Sequence, residues 1–224
     1  MYLNRKLAKL TYTDAQGNSM PYRLLKPKRY LSARKYPLVI FLHGSEERGT
    51  DNHTPIRIRN GAYEFMVTAH KYAYFMIVPQ CPPHTGWSGK PIRLVLGLIQ
   101  HIRDTFSIDP DRIYAAGLSM GAMGMWEMVI RQPEMFAAGI SVCGWHSTTQ
   151  IDRIKAIPFL VLHGSRDHAV PVEGSRKIVH ALQAVGGLVE YLEYQGADHA
   201  IWEKAFTDQH VIGWLFQQSK RRRL

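Results

Sequence analysis

Cysteine is scarce in this chain. Cys81 and Cys143 are the only two among 224 residues, too few for a disulfide scaffold and at a spacing that fits no zinc pattern. Each follows an apolar, strand-like run, so both are expected to be buried free thiols. Long apolar runs are missing as well. No stretch approaches the roughly 18 residues needed to cross a bilayer, so no membrane span is expected. The first seven residues carry basic side chains but no apolar block follows them; this reads as a protein without a signal peptide, expected in the cytoplasm. Acidic residues number 18 against 28 Lys and Arg, a formal charge of +10. Yet the basic residues are not interleaved with aromatics in a nucleic-acid pattern. A solvated basic surface is expected, with part of the charge in a tail over 219–224. Paired histidines of the H-E-x-x-H kind, which a metal hydrolase needs, do not occur, although His163, Asp167 and His168 lie close together. No metal is expected. The adjacent Glu46 and Glu47 point different ways and cannot flank a glycosidic bond.

What remains is ordinary globular composition, 46% hydrophobic and 21% charged, with no repeat or linker. A single domain over 1–224 is expected. Strand-like and helix-like stretches alternate after an initial hairpin within residues 1–30, in which 6–13 and 20–26 read as strands joined by a turn-rich segment. Strands are expected over 37–42, 74–78, 112–116, 136–142, 157–162 and 188–194. Helices are expected over 61–70, 91–106, 122–130, 172–185 and 203–217, with Asp109-Pro110-Asp111 as a turn. Apolar runs without alternation belong to strands covered on both faces. The sum is an α/β fold, a mostly parallel central sheet with an N-terminal antiparallel hairpin and helices on both faces. No connection is long enough for a large lid. In such sheets ligands bind at the carboxyl ends of the strands.

Four strand ends carry chemistry. Gly117-Leu118-Ser119-Met120-Gly121 places a serine between a strand and a helix, at a tight turn whose glycines leave room for both. A serine hydroxyl needs a base and the base an orienting acid. Asp167 follows the strand ending at Leu162, and His199 follows the strand ending at Tyr194. Nucleophile, acid, base is the chain order of one hydrolase fold. Asp152 and Asp198 are weaker candidates for the acid. The strand ending at Leu42 runs into His43-Gly44-Ser45-Glu46-Glu47-Arg48-Gly49, where the Ser45 amide, together with that of Met120, is placed to meet an oxyanion; His43 is expected to hydrogen-bond loop backbone. Trp87, Trp145, His146 and Trp202, on loops beyond strand ends, are candidates to line a substrate pocket.

Taken together, Leu42 to Gly49, Pro79-Gln80-Cys81-Pro82, Asp109 to Tyr114, the serine pentapeptide, His163-Gly164 through Asp167 to Pro171, and Gly196 through His199 resemble the α/β-hydrolase superfamily, specifically its small carboxylesterase, phospholipase and predicted-peptidase-like esterases. The likeness spans about residues 37–217. It implies the α/β-hydrolase fold, a catalytic triad of Ser119, Asp167 and His199, an oxyanion hole of Ser45 and Met120, and no cofactor. The activity expected is that of a serine carboxylesterase acting on a small-molecule ester. The alternatives are a serine peptidase of the same fold and a non-catalytic binding protein on a hydrolase scaffold. The sequence fixes neither the natural ester nor the oligomeric state.

Overall fold

The computed structural model describes residues 7–223. Lys6, expected to open the first strand, and Leu224, the last residue of the basic tail, lie outside them. Eight strands form one sheet: β1 (Leu7–Thr13), β2 (Ser19–Leu25), β3 (Tyr36–Leu42), β4 (Phe75–Pro79), β5 (Ile108–Leu118), β6 (Ala138–Val142), β7 (Phe159–Gly164) and β8 (Val189–Tyr194), in the order β1-β2-β4-β3-β5-β6-β7-β8. β1 and β2 are the antiparallel hairpin, closing from Leu7↔Leu25 to Thr13↔Ser19. β2 pairs antiparallel with β4, and every pairing from β4 through β8 is parallel. Parallel neighbours need crossovers: α1 (Ala62–Thr68) lies between β3 and β4, α2 (Gly89–Thr105) between β4 and β5, α3 (Met120–Arg131) between β5 and β6 and α4 (Glu173–Ala184) between β7 and β8, while a short 3₁₀ turn, Ile151–Ile154, lies between β6 and β7, and α5 (Trp202–Thr207) and α6 (Gln209–Gln217) follow β8.

β3 explains why these strands read as unbroken apolar runs. All seven of its residues are buried. Leu38, Ile40 and Leu42 belong to a core shared with α2, α3 and α4. Val39 and Phe41 point into a second core with Phe65 of α1, Phe206 of α5 and Val211 and Ile212 of α6. Side chains alternate across the pleat, so a strand with helices on both faces is apolar at every position. Each fully buried large side chain contributes about 1.5–3 kcal/mol.

Two expectations are corrected. Asp109-Pro110-Asp111 is not a turn before β5 but a bulge within it. β3 moves two residues, Tyr36 to Leu38, while β5 moves from Ile108 to Ile113, and the extra length is tied down by Asp111 N–H on Asp109 Oδ1 (3.1 Å) and by Arg221 of the tail on Asp111 Oδ2 (2.5 Å). The final helix is two helices. Asp208 is extended (φ −73°, ψ 118°) and caps α6 by accepting from the His210 amide, the ordinary role of aspartate at a helix start. By contrast Gly186-Gly187 ends α4 as expected: Gly186 takes φ +70° and the two amides return to Gln183 and Leu182. Both cysteines are free and buried. No helix among the described residues is long and apolar enough to cross a membrane.

Candidate active site

The carboxyl ends of β3, β5, β6, β7 and β8 converge on one rim of the sheet. At the end of β5, Ser119 is held at φ 51°, ψ −123°, a region that side-chain-bearing residues avoid unless their surroundings enforce it. Here they do. The Ser119 amide donates to Val142 O (2.8 Å) and its carbonyl accepts from Ala122 (3.0 Å). The flanking glycines are required by space. A carbon added to Gly121 would lie 1.9 Å from Leu42 O, and one on Gly117 would lie 2.3 Å from Gly121 O. Only their absence lets α3 start directly against β3 and β5. The strain lifts the Ser119 hydroxyl to the rim, at the amino end of α3, where unpaired amides favour negative charge.

Ser119 Oγ lies 2.9 Å from His199 Nε2, and His199 Nδ1 lies 2.6 Å from Asp167 Oδ2. The carboxylate only accepts, so Nδ1 carries the proton and Nε2 is free to receive that of the hydroxyl. The Asp167 side chain is fully buried and that of His199 is 20% exposed. Burial pushes the Asp167 carboxyl up, but donation from the Val170 amide, His199 and the Ala169 amide outweighs it and holds the group below the usual carboxylate range. Asp167 thus stays ionised and His199 stays oriented. The rival acids stand elsewhere: Asp198 accepts from the amide of its neighbour His199 (2.7 Å), and Asp152 is exposed on a short 3₁₀ turn.

Beyond β3, His43 is wholly buried. Its Nδ1 donates to Gly44 O (2.7 Å), its Nε2 accepts from the Cys81 amide (2.9 Å), and its carbonyl accepts from Trp87 Nε1 (2.9 Å). This clamps Gly44 against Ser119: a carbon on Gly44 would sit 3.8 Å from Ser119 Cβ. Ser45, with its amide, follows directly, and Met120 opens α3 on the other side.

The expected pocket residues divide. Trp87 is corrected: it is 3% exposed, packed on His43 and Gly124, and supports the loop from behind. His146 is engaged by Glu127 (3.0 Å). Trp202 sets its ring edge-on to His199, with centroids 5.5 Å apart, and donates to Arg59 O. Trp145 is 50% exposed and lines an open groove of about 870 Å³ with Pro171, Lys177 and His180.

Two residues near Asp167 were not singled out as part of the site. His163, at the end of β7, touches Asp167 Oδ2 (3.0 Å); its position four before Asp167 was the available signal. Cys143 has a donor atom within 4.8 Å of those of Asp167 and His199. Burial, with the charge of Asp167 adding to it, pushes its thiol up to about 12, and its Sγ donates to His199 O (3.3 Å). A cation in this cluster would have to displace the 2.6 Å His199–Asp167 bond and deprotonate that thiol. The residues present suit a proton better than a metal.

Glu47, on the same turn as Ser45, is buried, with Oε2 3.2 Å from the carbon that Gly44 lacks. Burial, reinforced by Glu46, pushes its carboxyl from 4.5 to about 7. The folded chain therefore keeps this proton to higher pH than the unfolded chain does. Its contribution is fully present below about pH 4.5 and is lost as pH rises through about 7. Glu47→Gln is expected to flatten that part of the curve, by roughly 3 kcal/mol at most, in denaturant titrations at pH 4.5, 6 and 8. An unchanged slope contradicts the assignment.

A model of the phospholipase/carboxylesterase family matches residues 92–211, just over half of the chain. Among curated proteins, the chain is 43% identical over 100 residues to the esterase LipC of Mycobacterium tuberculosis, covering 42% of this chain and 23% of that protein. It is 25% identical over 118 residues to the carboxylesterase SOBER1 of Arabidopsis thaliana, covering 50% of this chain and 51% of that one. The chain thus spans about a quarter and about half the length of these relatives. Among solved structures, a thermostable esterase superposes with a TM-score of 0.92 at 38% identity, over 98% of this chain and 64% of the other.

Proposed function

The chain belongs to the phospholipase/carboxylesterase family and has the α/β-hydrolase fold; from that premise we propose that it is a carboxylesterase in which Ser119 is the nucleophile, His199 the general base and Asp167 the orienting acid. One observation carries the reading: the unbroken line of contacts from Ser119 Oγ to His199 Nε2 at 2.9 Å and from His199 Nδ1 to Asp167 Oδ2 at 2.6 Å, at the carboxyl edge of a parallel sheet.

In this reading His199 takes the proton of Ser119 as the oxygen attacks the ester carbonyl. The carbonyl oxygen becomes negative and is met by the amides of Ser45 and Met120, an interaction for which the amino end of α3 and the clamped Gly44 turn are suited; one such donor is worth about 3–4 kcal/mol. His199 then gives its proton to the leaving alcohol, and an acyl-enzyme remains. Water, activated by the same imidazole, releases the acid and restores Ser119. The reading needs no cofactor. The substrate is a small ester whose acyl or alcohol part lies near Trp202 and Trp145.

A panel of p-nitrophenyl esters of increasing chain length, run beside aminoacyl anilides, tests the reaction class. Hydrolysis of the esters with little turnover of the anilides is expected. Faster anilide cleavage would make the protein a peptidase, and no turnover of either would leave a binding protein.

A further inference from the structure

Asp167 is held by two imidazoles, and only one of them touches the serine. Its Oδ1 receives the amides of Ala169 (2.9 Å) and Val170 (2.8 Å). Its Oδ2 receives His199 Nδ1 at 2.6 Å and His163 Nε2 at 3.0 Å. His163 Nε2 also lies 2.9 Å from Val170 O. Neither of those oxygens has a hydrogen to give, so Nε2 carries the proton and shares it between them. At the other end of the ring, Nδ1 lies 2.7 Å from Ser175 Oγ, whose one hydrogen is shared between that nitrogen and Gly144 O, also at 2.7 Å. His163 and Ser175 are both fully buried. A line of buried contacts therefore runs from the loop after β6 through α4 and β7 to the oxygen that meets His199.

We infer that His163 is a positioning residue for the proposed reaction: it pins the Asp167 carboxylate in the plane that meets His199 and takes part of the charge on Oδ2. The inference rests on the reading of His199 as general base. Two effects follow, of different kinds. The first is geometric. Amides hold Oδ1, but without His163 the side of Oδ2 away from His199 has no side-chain support, and the carboxylate can rotate. Misplacing a catalytic hydrogen bond by a fraction of an ångström to an ångström costs up to about 10²-fold in rate. The second is electrostatic. Two donors on one oxygen divide its charge, so losing His163 leaves more of it facing His199 and favours the protonated imidazole.

The other charged and titratable groups around His163 do not supply this effect. Glu193, paired across the sheet with His163, is bound to Arg176 of α4 (2.7 Å) and to Tyr191. Cys143, directly after β6, is a thiol pushed up to about 12 and adds no charge. Asp167 is the remaining charged partner.

The test compares His163→Leu, which removes the donor, with His163→Gln, whose terminal amide reaches the place of Nε2. Each is measured for kcat and KM on one p-nitrophenyl ester, for the acid limb of kcat/KM, for thermal unfolding, and for the low-field proton resonance of the His199–Asp167 bond. His163→Leu is expected to lose about 10- to 100-fold in kcat with KM little changed, to move the acid limb to higher pH, and to shift the resonance. His163→Gln is expected to restore all three toward wild type. A folded His163→Leu whose resonance and acid limb are those of wild type overturns the inference, even if its kcat falls. So does a His163→Gln variant indistinguishable from His163→Leu. Should His163→Leu fail to fold, Ser175→Ala, which frees only the far end of the ring, takes its place: a smaller shift in the same direction supports the inference, and none overturns it. The resonance is read without turnover, so it stands or falls apart from the esterase reading, which fails instead if wild type turns over no ester.

Discussion

Replacing Ser119 by alanine is expected to lower kcat on a p-nitrophenyl ester by at least ~10³-fold, about 4 kcal/mol of barrier, while the protein stays folded and KM changes little. Only the hydroxyl is lost, and with it the covalent step. The residual rate comes from bound ester attacked directly by water beside the amides of Ser45 and Met120. Stability should hardly move. Alanine keeps the same Cβ at φ 51°, so the backbone strain is no worse, and the lost hydroxyl is only half-buried. Thermal unfolding of the variant checks this, and steady-state kinetics check the rate. Ester turnover within tenfold of wild type would mean that another group attacks. Cys143 is poorly placed to be that group, since it is fully buried and its thiol is held near 12.

Asp167→Asn is expected to cost as much, about 10⁴-fold in kcat, through a different physical cause. All four contacts to this carboxylate are donors: two amides on Oδ1, two imidazole nitrogens on Oδ2. An asparagine must aim its NH₂ at one of these pairs. The amides of Ala169 and Val170 cannot give up their hydrogens, so the NH₂ faces the imidazoles. His199 then accepts on Nδ1 and moves its proton to Nε2, where it can no longer take one from Ser119. The signature is a loss in kcat that recovers in part at high pH, when hydroxide substitutes for the base, with the protein otherwise intact. A fall of less than tenfold would show that His199 is oriented by something else.

The fold and the candidate site were legible in the sequence to different depths. The places of the candidate residues at strand ends were readable because each follows an apolar run. Parallel sheets gather such positions at one rim whatever lies between them. The bulge at 109–112 was not readable: Asp-Pro-Asp has the composition of a turn, and only the register against Tyr36 and Leu38 makes it part of β5. The break at Asp208 had a local signal, an N-cap aspartate, masked by apolar periodicity on either side. Trp87 shows the limit for single residues. A loop tryptophan beside glycines is as apt to line a pocket as to fill a core. What decides is Gly124 on α3, distant in sequence, whose missing side chain makes the slot into which Trp87 packs. His163 was legible only as a neighbour of Asp167 in the chain, since its contact with Ser175 forms only after α4 folds onto β7.

The central claim is that the hydroxyl of Ser119 is made reactive by its contact with His199. Exposure of the intact protein to a fluorophosphonate probe, followed by peptide mapping, tests it directly. A single adduct on Ser119, slowed strongly in His199→Ala, is the result predicted. A folded protein that takes no label, or one that carries it on any other residue, contradicts the account.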